Sequence, residues 1–305
     1  MKTKDYSVLL EGVDALDLPL SVLRDLCDLF VEGAQRCARL VAEGRSVARG
    51  TVPAWAVAAA DIRVSKFERG SLQLGLTAQC LVDVAPDAFA QASLFLPSAD
   101  ADATALDLFL DAADDAAAGR RDSERLDAGV LEVLARAGGL FTTSAMRLSV
   151  TRVGRPPIAL DQAALITIRK LTDETPPGRV TRVRGVLDTL TVSTRAMALR
   201  LENGRALRGF AGAVPIEQLR QLLGADVVVE GVVAFRPSGE AIRLEVESVA
   251  PAKPGDSIWS SLPIAEPLAV RPRLPRAEGG LDAWFGKWPG DETDAQLAEA
   301  LQSAS

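Results

Sequence analysis

Two acidic patterns are the first places to look for chemistry in this chain. Asp100-x-Asp102-x-Thr104 sets two carboxylates and a hydroxyl on one short stretch. Gly290-Asp291-Glu292-Thr293-Asp294 places three more carboxylates near the end of the chain, beside Trp284, Phe285 and Trp288. Those aromatics are large amphipathic side chains of the type enriched at interface hot spots. There is no histidine anywhere. That removes the commonest general base, the Ser-His and Cys-His nucleophile pairs and the commonest transition-metal ligand. Cys27, Cys37 and Cys80 give neither a CxxC pair nor a disulfide framework, and they read as small buried apolar residues.

The elements that would have to position these groups decide between the chemistries. DxDxT resembles the nucleophile loop of haloacid-dehalogenase-like phosphatases, in which the first Asp follows directly on a buried strand and later carboxylates hold Mg²⁺. Here Pro97-Ser98-Ala99 separates the apolar residues from Asp100, and no strand precedes the late acidic pattern. No Rossmann-like succession of strands and helices is recognisable. Residues 100–104 are therefore read as an acidic loop and a helix start, and the chain as non-enzymatic, with no catalytic residue, cofactor or metal.

The totals fit a soluble protein with a sizeable core. The 305 residues are 48% hydrophobic and 25% charged, with a net charge of −7, so bulk attraction to nucleic acid or anionic lipid is not expected. No apolar run approaches the ~18 residues of a membrane span. The start brings in Asp and Glu where a signal peptide needs an apolar stretch. The expected compartment is the cytoplasm, with no membrane partner.

Periodicity predicts an α+β domain over 1–174. Its strands are Tyr6–Leu10, Ala58–Phe67, Ser71–Leu81 and Thr143–Val153. A long helix capped by Ser21 carries Val22, Leu26, Leu29, Phe30, Ala34, Cys37 and Val41 on one side and stops at Gly44. Further helices are expected over Ala103–Ala118, over Glu124–Ala137 behind Ser123 and closed by Gly138-Gly139, and over Ala163–Leu171 starting near Asp161. Arg69-Gly70-Ser71 reads as a hairpin connection. Thr175-Pro176-Pro177-Gly178 marks a boundary.

Residues 178–250 follow a different order: strands Arg179–Leu190, Thr191–Leu201 and Arg205–Ala211, a helix Pro215–Leu223, then strands Asp226–Arg236 and Ala241–Val249. Three strands, a helix and two strands resemble a small five-stranded OB-fold barrel. Single-strand binding by such barrels needs a basic groove and stacking aromatics. This segment has ten arginines against eight acids, and its two aromatics, Phe210 and Phe235, fit core positions. Arg179, Arg182, Arg184, Arg195, Arg200, Arg205 and Arg208 cluster in the first three strands. A barrel that binds single-stranded nucleic acid or a small ligand is thus the alternative reading, with Arg182 and Arg184 as its test positions. Residues 251–280, with six prolines, read as a linker or extended arm.

Residues 281–305 carry the stronger signal. Pro289-Gly290 makes a turn, Thr293-x-x-Gln296 is a capping box, and Leu297 and Leu301 lie one turn apart on a helix too short to be stable alone. An extended anchor followed by a capped amphipathic helix is the layout of a groove-binding peptide. Phe285, Gly286, Trp288, Gly290, Asp291, Glu292, Asp294, Leu297 and Leu301 resemble the toxin-binding tails of VapB-type type II antitoxins. That resemblance implies a PIN-domain ribonuclease as partner, gripped through these positions and Trp284. It also implies a basic side chain at the toxin's carboxylate cluster. Arg271, Arg273, Arg276 and Lys287 are the candidates, and the sequence does not choose among them. The part of the chain ahead of the tail departs from that family, because no ribbon-helix-helix, AbrB-like or helix-turn-helix pattern precedes the tail.

Overall fold

The computed structural model describes residues 2–12, 18–47, 50–68, 72–89, 102–141, 146–192, 195–262 and 265. The chain divides into two compact units, Met1–Leu268 and Ala269–Ser305, and all that follows concerns the first. It has an α+β body and a second, all-antiparallel-but-one sheet.

The body is built on the sheet β2-β3-β1-β4-β5, from β1 (Thr3–Glu11), β2 (Arg63–Glu68), β3 (Leu72–Gln79), β4 (Arg147–Arg152) and β5 (Arg155–Leu160), all antiparallel. Strict alternation gives the sheet one apolar face: Tyr6, Val8 and Leu10, Leu72, Leu74 and Leu76, then Leu148 and Val150 are all buried. The helices cover this face. They are α1 (Leu20–Glu43), α2 (Ala54–Ala59), α3 (Leu81–Val84), α4 (Pro86–Phe89), α5 (Ala105–Ala117), α6 (Ala128–Arg136) and α7 (Gln162–Glu174). The apolar stripe of α1, with Val22, Leu26, Leu29, Phe30 and Cys37, enters the main core, where Phe30 meets Phe109 of α5 edge-to-face at 6.4 Å. Gly44 ends α1 in the left-handed region at φ 72°, where glycine has no Cβ penalty.

Several expectations are corrected. Pro19, not Ser21, occupies the N-cap of α1, and no side chain caps it. Val41 is only half-buried, and Cys27 is exposed, on the solvent side of the helix. The stretch expected as one strand from Ala58 begins inside α2, because an Ala-rich run of high helix propensity follows Pro53. Helix α6 starts four residues later than expected, behind Asp127, whose carboxylate accepts the Val130 N–H at 2.9 Å. Strand β5 was missed: Pro156 and Pro157 argue against a strand, yet β5 is an edge strand, where missing donors are tolerated.

The second sheet contains β6 (Arg179–Thr191), β7 (Ala196–Arg200), β8 (Ala206–Phe210), β9 (Asp226–Phe235) and β10 (Ala241–Pro251), with α8 (Ile216–Gln221) between β8 and β9. The five strands close into a barrel in the order β10-β8-β7-β6-β9. Every pairing is antiparallel except β8 with β10. Its core holds Val183, Leu187, Met197, Leu199, Leu207, Val229, Val233, Phe235 and Leu244. Phe210 does not join them; it lies half-buried on the outer surface. The first part of the expected extended arm is built onto the barrel as well. Pro254–Trp259 forms a 3-10 helix, and Ala265 is buried in the barrel core, its N–H donating to Gly239 O at 3.0 Å.

Candidate functional site

The residues that the sequence singled out for partner docking, Trp284, Phe285, Trp288, Gly290, Asp291, Glu292, Asp294, Leu297 and Leu301, lie outside the described residues. So do Arg271, Arg273, Arg276, Lys287 and the turn 69–71. Of the DxDxT stretch, Asp102 is an exposed carboxylate paired with Lys2 at 2.9 Å. Thr104 is the N-cap of α5, its hydroxyl accepting the Asp107 N–H at 3.0 Å while the Asp107 carboxylate accepts the Thr104 N–H at 3.3 Å. This reciprocal capping box explains the Thr-x-x-Asp spacing as helix nucleation. Thr104 also shares a 2.6 Å hydrogen bond with the Tyr6 hydroxyl, and burial pushes the Tyr6 phenol well above its usual range.

The arginines of the barrel are distributed in two ways. On the outer face of β6 and β9 they are cross-strand ion pairs: Arg182 with Glu230 at 3.0 Å and Arg184 with Asp226 at 2.6 Å. Arg200 pairs with Asp188 at 3.2 Å. An oligonucleotide phosphate would have to displace these carboxylates, so this row is not the open basic groove that single-strand binding uses.

Two other barrel arginines, Arg236 and Arg243, reach the body: Arg236 donates to Asp122 O at 3.1 Å. Arg243 of β10 reaches the start of α6 and donates to the Asp127 carboxylate at 2.8 Å and to Gly44 O at 3.2 Å. Asp127 is only 2% exposed and also accepts the Ser46 hydroxyl at 2.6 Å. Burial alone would raise its pKa, but Arg243, Ser46 and the Val130 N–H together hold the carboxyl below its ordinary value. Gly129 is required beside it, because a Cβ there would stand 2.2 Å from Ser46 Oγ. Nearby, the Arg45 guanidinium stacks 3.4 Å from the centroid of the Phe210 ring.

Next to this contact, α5 and the barrel face one another across a cleft of about 970 Å³. One wall is α5, with Asp107, Asp111 and Asp115 one turn apart. All three carboxylates are held by the body's own cations. Lys4 reaches Asp107 at 2.9 Å, Arg152 reaches Asp111 at 2.5 Å, and Arg155 reaches it at 3.0 Å. Asp115, 3% exposed, accepts from Arg125 at 3.1 Å, from the Ser123 hydroxyl at 2.5 Å and from Arg120. Ser123, expected as a helix cap, is thus a ligand of this carboxylate. The other wall is the barrel's Arg205, Arg208 and Arg236, over an apolar floor that includes Leu40, Val41, Leu108, Leu207 and Ile242. Burial lowers the Arg208 guanidinium pKa, nearby Glu124 opposes that, and the Arg236 charge adds to it.

Sequence reasoning missed both the cleft and the Asp127 contact. Their members are far apart in the chain, and each local pattern has a sufficient local meaning. The one accessible signal was Asp127-x-x-Val130, the spacing of an N-cap. Among the described residues, no group of three or more His, Cys, Asp or Glu side chains is placed to hold a metal ion, and no helix is long and apolar enough to cross a membrane. Comparison with family models, curated proteins and solved structures finds no match for this chain.

Proposed function

We propose that this chain is an antitoxin-like protein that binds and neutralises a PIN-domain ribonuclease through residues 281–305, acting in the cytoplasm and without catalysis of its own. The observation that carries the reading is the order of residues in that segment. Trp284, Phe285 and Trp288 precede Pro289-Gly290, the acidic run Asp291-Glu292-x-Asp294, and the Thr293-x-x-Gln296 spacing with Leu297 and Leu301, a sequence pattern of turn and capped helix. Three large aromatics left in water at a chain end are unfavourable, and a groove on a partner removes them from it. A basic residue among Arg271, Arg273, Arg276 and Lys287 would neutralise the carboxylates that hold Mg²⁺ in such a ribonuclease.

We read the second sheet as an OB-like barrel, since a helix between the third and fourth strands and a parallel closure of third on fifth fit that architecture. Its ring closes within 179–251, so it offers no free edge to which a partner strand could add. That favours docking through the tail over docking by strand addition to the barrel. The test is co-expression of the chain with the product of the adjacent gene, which this reading expects to be a PIN-domain protein. The full chain co-purifies with it, and a chain ending at residue 280 does not. Undiminished co-purification of the shortened chain overturns the reading.

A further inference from the structure

The cleft between α5 and the barrel has no part in the proposed docking, and its chemistry points elsewhere. Its volume of about 970 Å³ lies within the ~300–1,000 Å³ typical of small-molecule sites. Seven arginines line it against five acids, in a chain whose net charge is −7. A concave surface of the opposite sign to the whole molecule concentrates anions.

Both walls hold ion pairs. On the α5 wall Asp111 meets Arg152 at 2.5 Å and Asp115 meets Arg125 at 3.1 Å, while Arg152 meets Asp107 at 3.5 Å. On the barrel wall, Arg205 and Arg236 meet Glu240 at 3.5 Å, and Arg236 meets Glu124 at 3.4 Å. Those distances exceed the ~2.7–2.9 Å of a well-formed charge-assisted bond. The Nε of Arg236 is buried and has no hydrogen-bond partner among the described residues. A buried donor of that kind costs about 1–3 kcal/mol while it stays unsatisfied. Arg236 also donates to Asp122 O at 3.1 Å. Guanidiniums whose carboxylate contacts are this long suit an incoming anion.

We propose that this cleft binds a small phosphorylated molecule, its phosphate held by Arg205, Arg208 and Arg236 and its less polar part resting on Leu40, Val41 and Leu108. Phosphate is favoured over a single carboxylate because three guanidiniums line one side of the cleft, and each fork matches two oxygens of a tetrahedral, doubly charged group. The site exists in the chain by itself, so it is independent of what residues 281–305 bind.

Isothermal titration of the full chain, without any ribonuclease, with AMP, ATP, pyrophosphate and inorganic phosphate at low salt tests this. Binding at one site per chain is expected for at least one of them. Binding of AMP or ATP alone identifies an organic phosphate, and equal binding of pyrophosphate or phosphate identifies the free anion. Arg208→Gln and Arg205→Gln are each expected to weaken it about tenfold, the loss of one charge-assisted contact. Arg205 is largely exposed, so its variant is expected to keep the parent's melting temperature if Arg208→Gln does not. No binding by any of the four probes, or affinity unchanged in folded Arg205→Gln, overturns the proposal.

Discussion

Two Arg–carboxylate pairs of the barrel have nearly the same length and very different surroundings. Arg243 meets Asp127 at 2.8 Å with side-chain exposures of 11% and 3%; Arg182 meets Glu230 at 3.0 Å with exposures of 53% and 38%. Geometry does not separate them, so water must. The outer pair trades hydration for a contact that solvent screens, and such pairs contribute about 0–1 kcal/mol. The inner pair has already lost its hydration, and removing one partner strands a charge where water cannot reach it. The barrel therefore shows arginines to solvent along β6 and uses Arg243 of β10 as a structural contact. A count of basic residues does not distinguish the two uses.

The largest effect should come from breaking the inner pair. Arg243→Ala is expected to lower stability by about 3 kcal/mol, the lower end for an orphaned buried partner, because Ser46 and the Val130 N–H still serve Asp127. Chemical denaturation would read it, and a loss below about 1 kcal/mol would place this pair with the exposed ones.

Acid sharpens the same contrast. The folded-state pKa of Asp127 is held below its unfolded value, so its contribution is fully present above about pH 4 and is lost as pH falls through the lower folded value. In urea unfolding followed from neutral pH downward, the deficit of Asp127→Asn relative to the parent should be constant to about pH 4 and narrow below it. A deficit independent of pH would mean that the carboxylate's charge does not matter. The smallest effect belongs to the outer face: Arg182→Ala should change stability by less than about 1 kcal/mol, and raising salt should shrink the difference further.

Local chemistry made much of the fold legible. Alternation marked β1 and β3, Gly44 marked the end of α1, and Asp161 marked the start of α7, whose N-cap carboxylate accepts the Ala164 N–H at 2.9 Å. The strand and helix order over 179–251 was readable because each short strand ends in its own turn residue, as at Asn203-Gly204 and Pro237-Ser238-Gly239. Failures came where tertiary context decides. The prolines of β5 are acceptable only because that strand lies at an edge, and Ser123 versus Asp127 as a cap depends on Asp115 claiming the serine. The cleft was illegible for the same reason, since its walls come from α5 and from strands about a hundred residues later. The tail pattern is the reverse in kind: its aromatics, the Thr293-x-x-Gln296 spacing and the leucine pair are all local in sequence, and they lie outside the described residues.

The central claim is that this local pattern is a ribonuclease-docking peptide. Its most direct test is a titration of the adjacent gene's product, expected to be a PIN-domain enzyme and assayed on RNA, with the full chain and with the variant carrying Trp284→Ala and Trp288→Ala. The parent is expected to abolish cleavage at an equimolar ratio. Each tryptophan is expected to contribute about 2 kcal/mol or more, so inhibition by the variant should shift to concentrations at least a hundredfold higher. Equal inhibition by both proteins would contradict it.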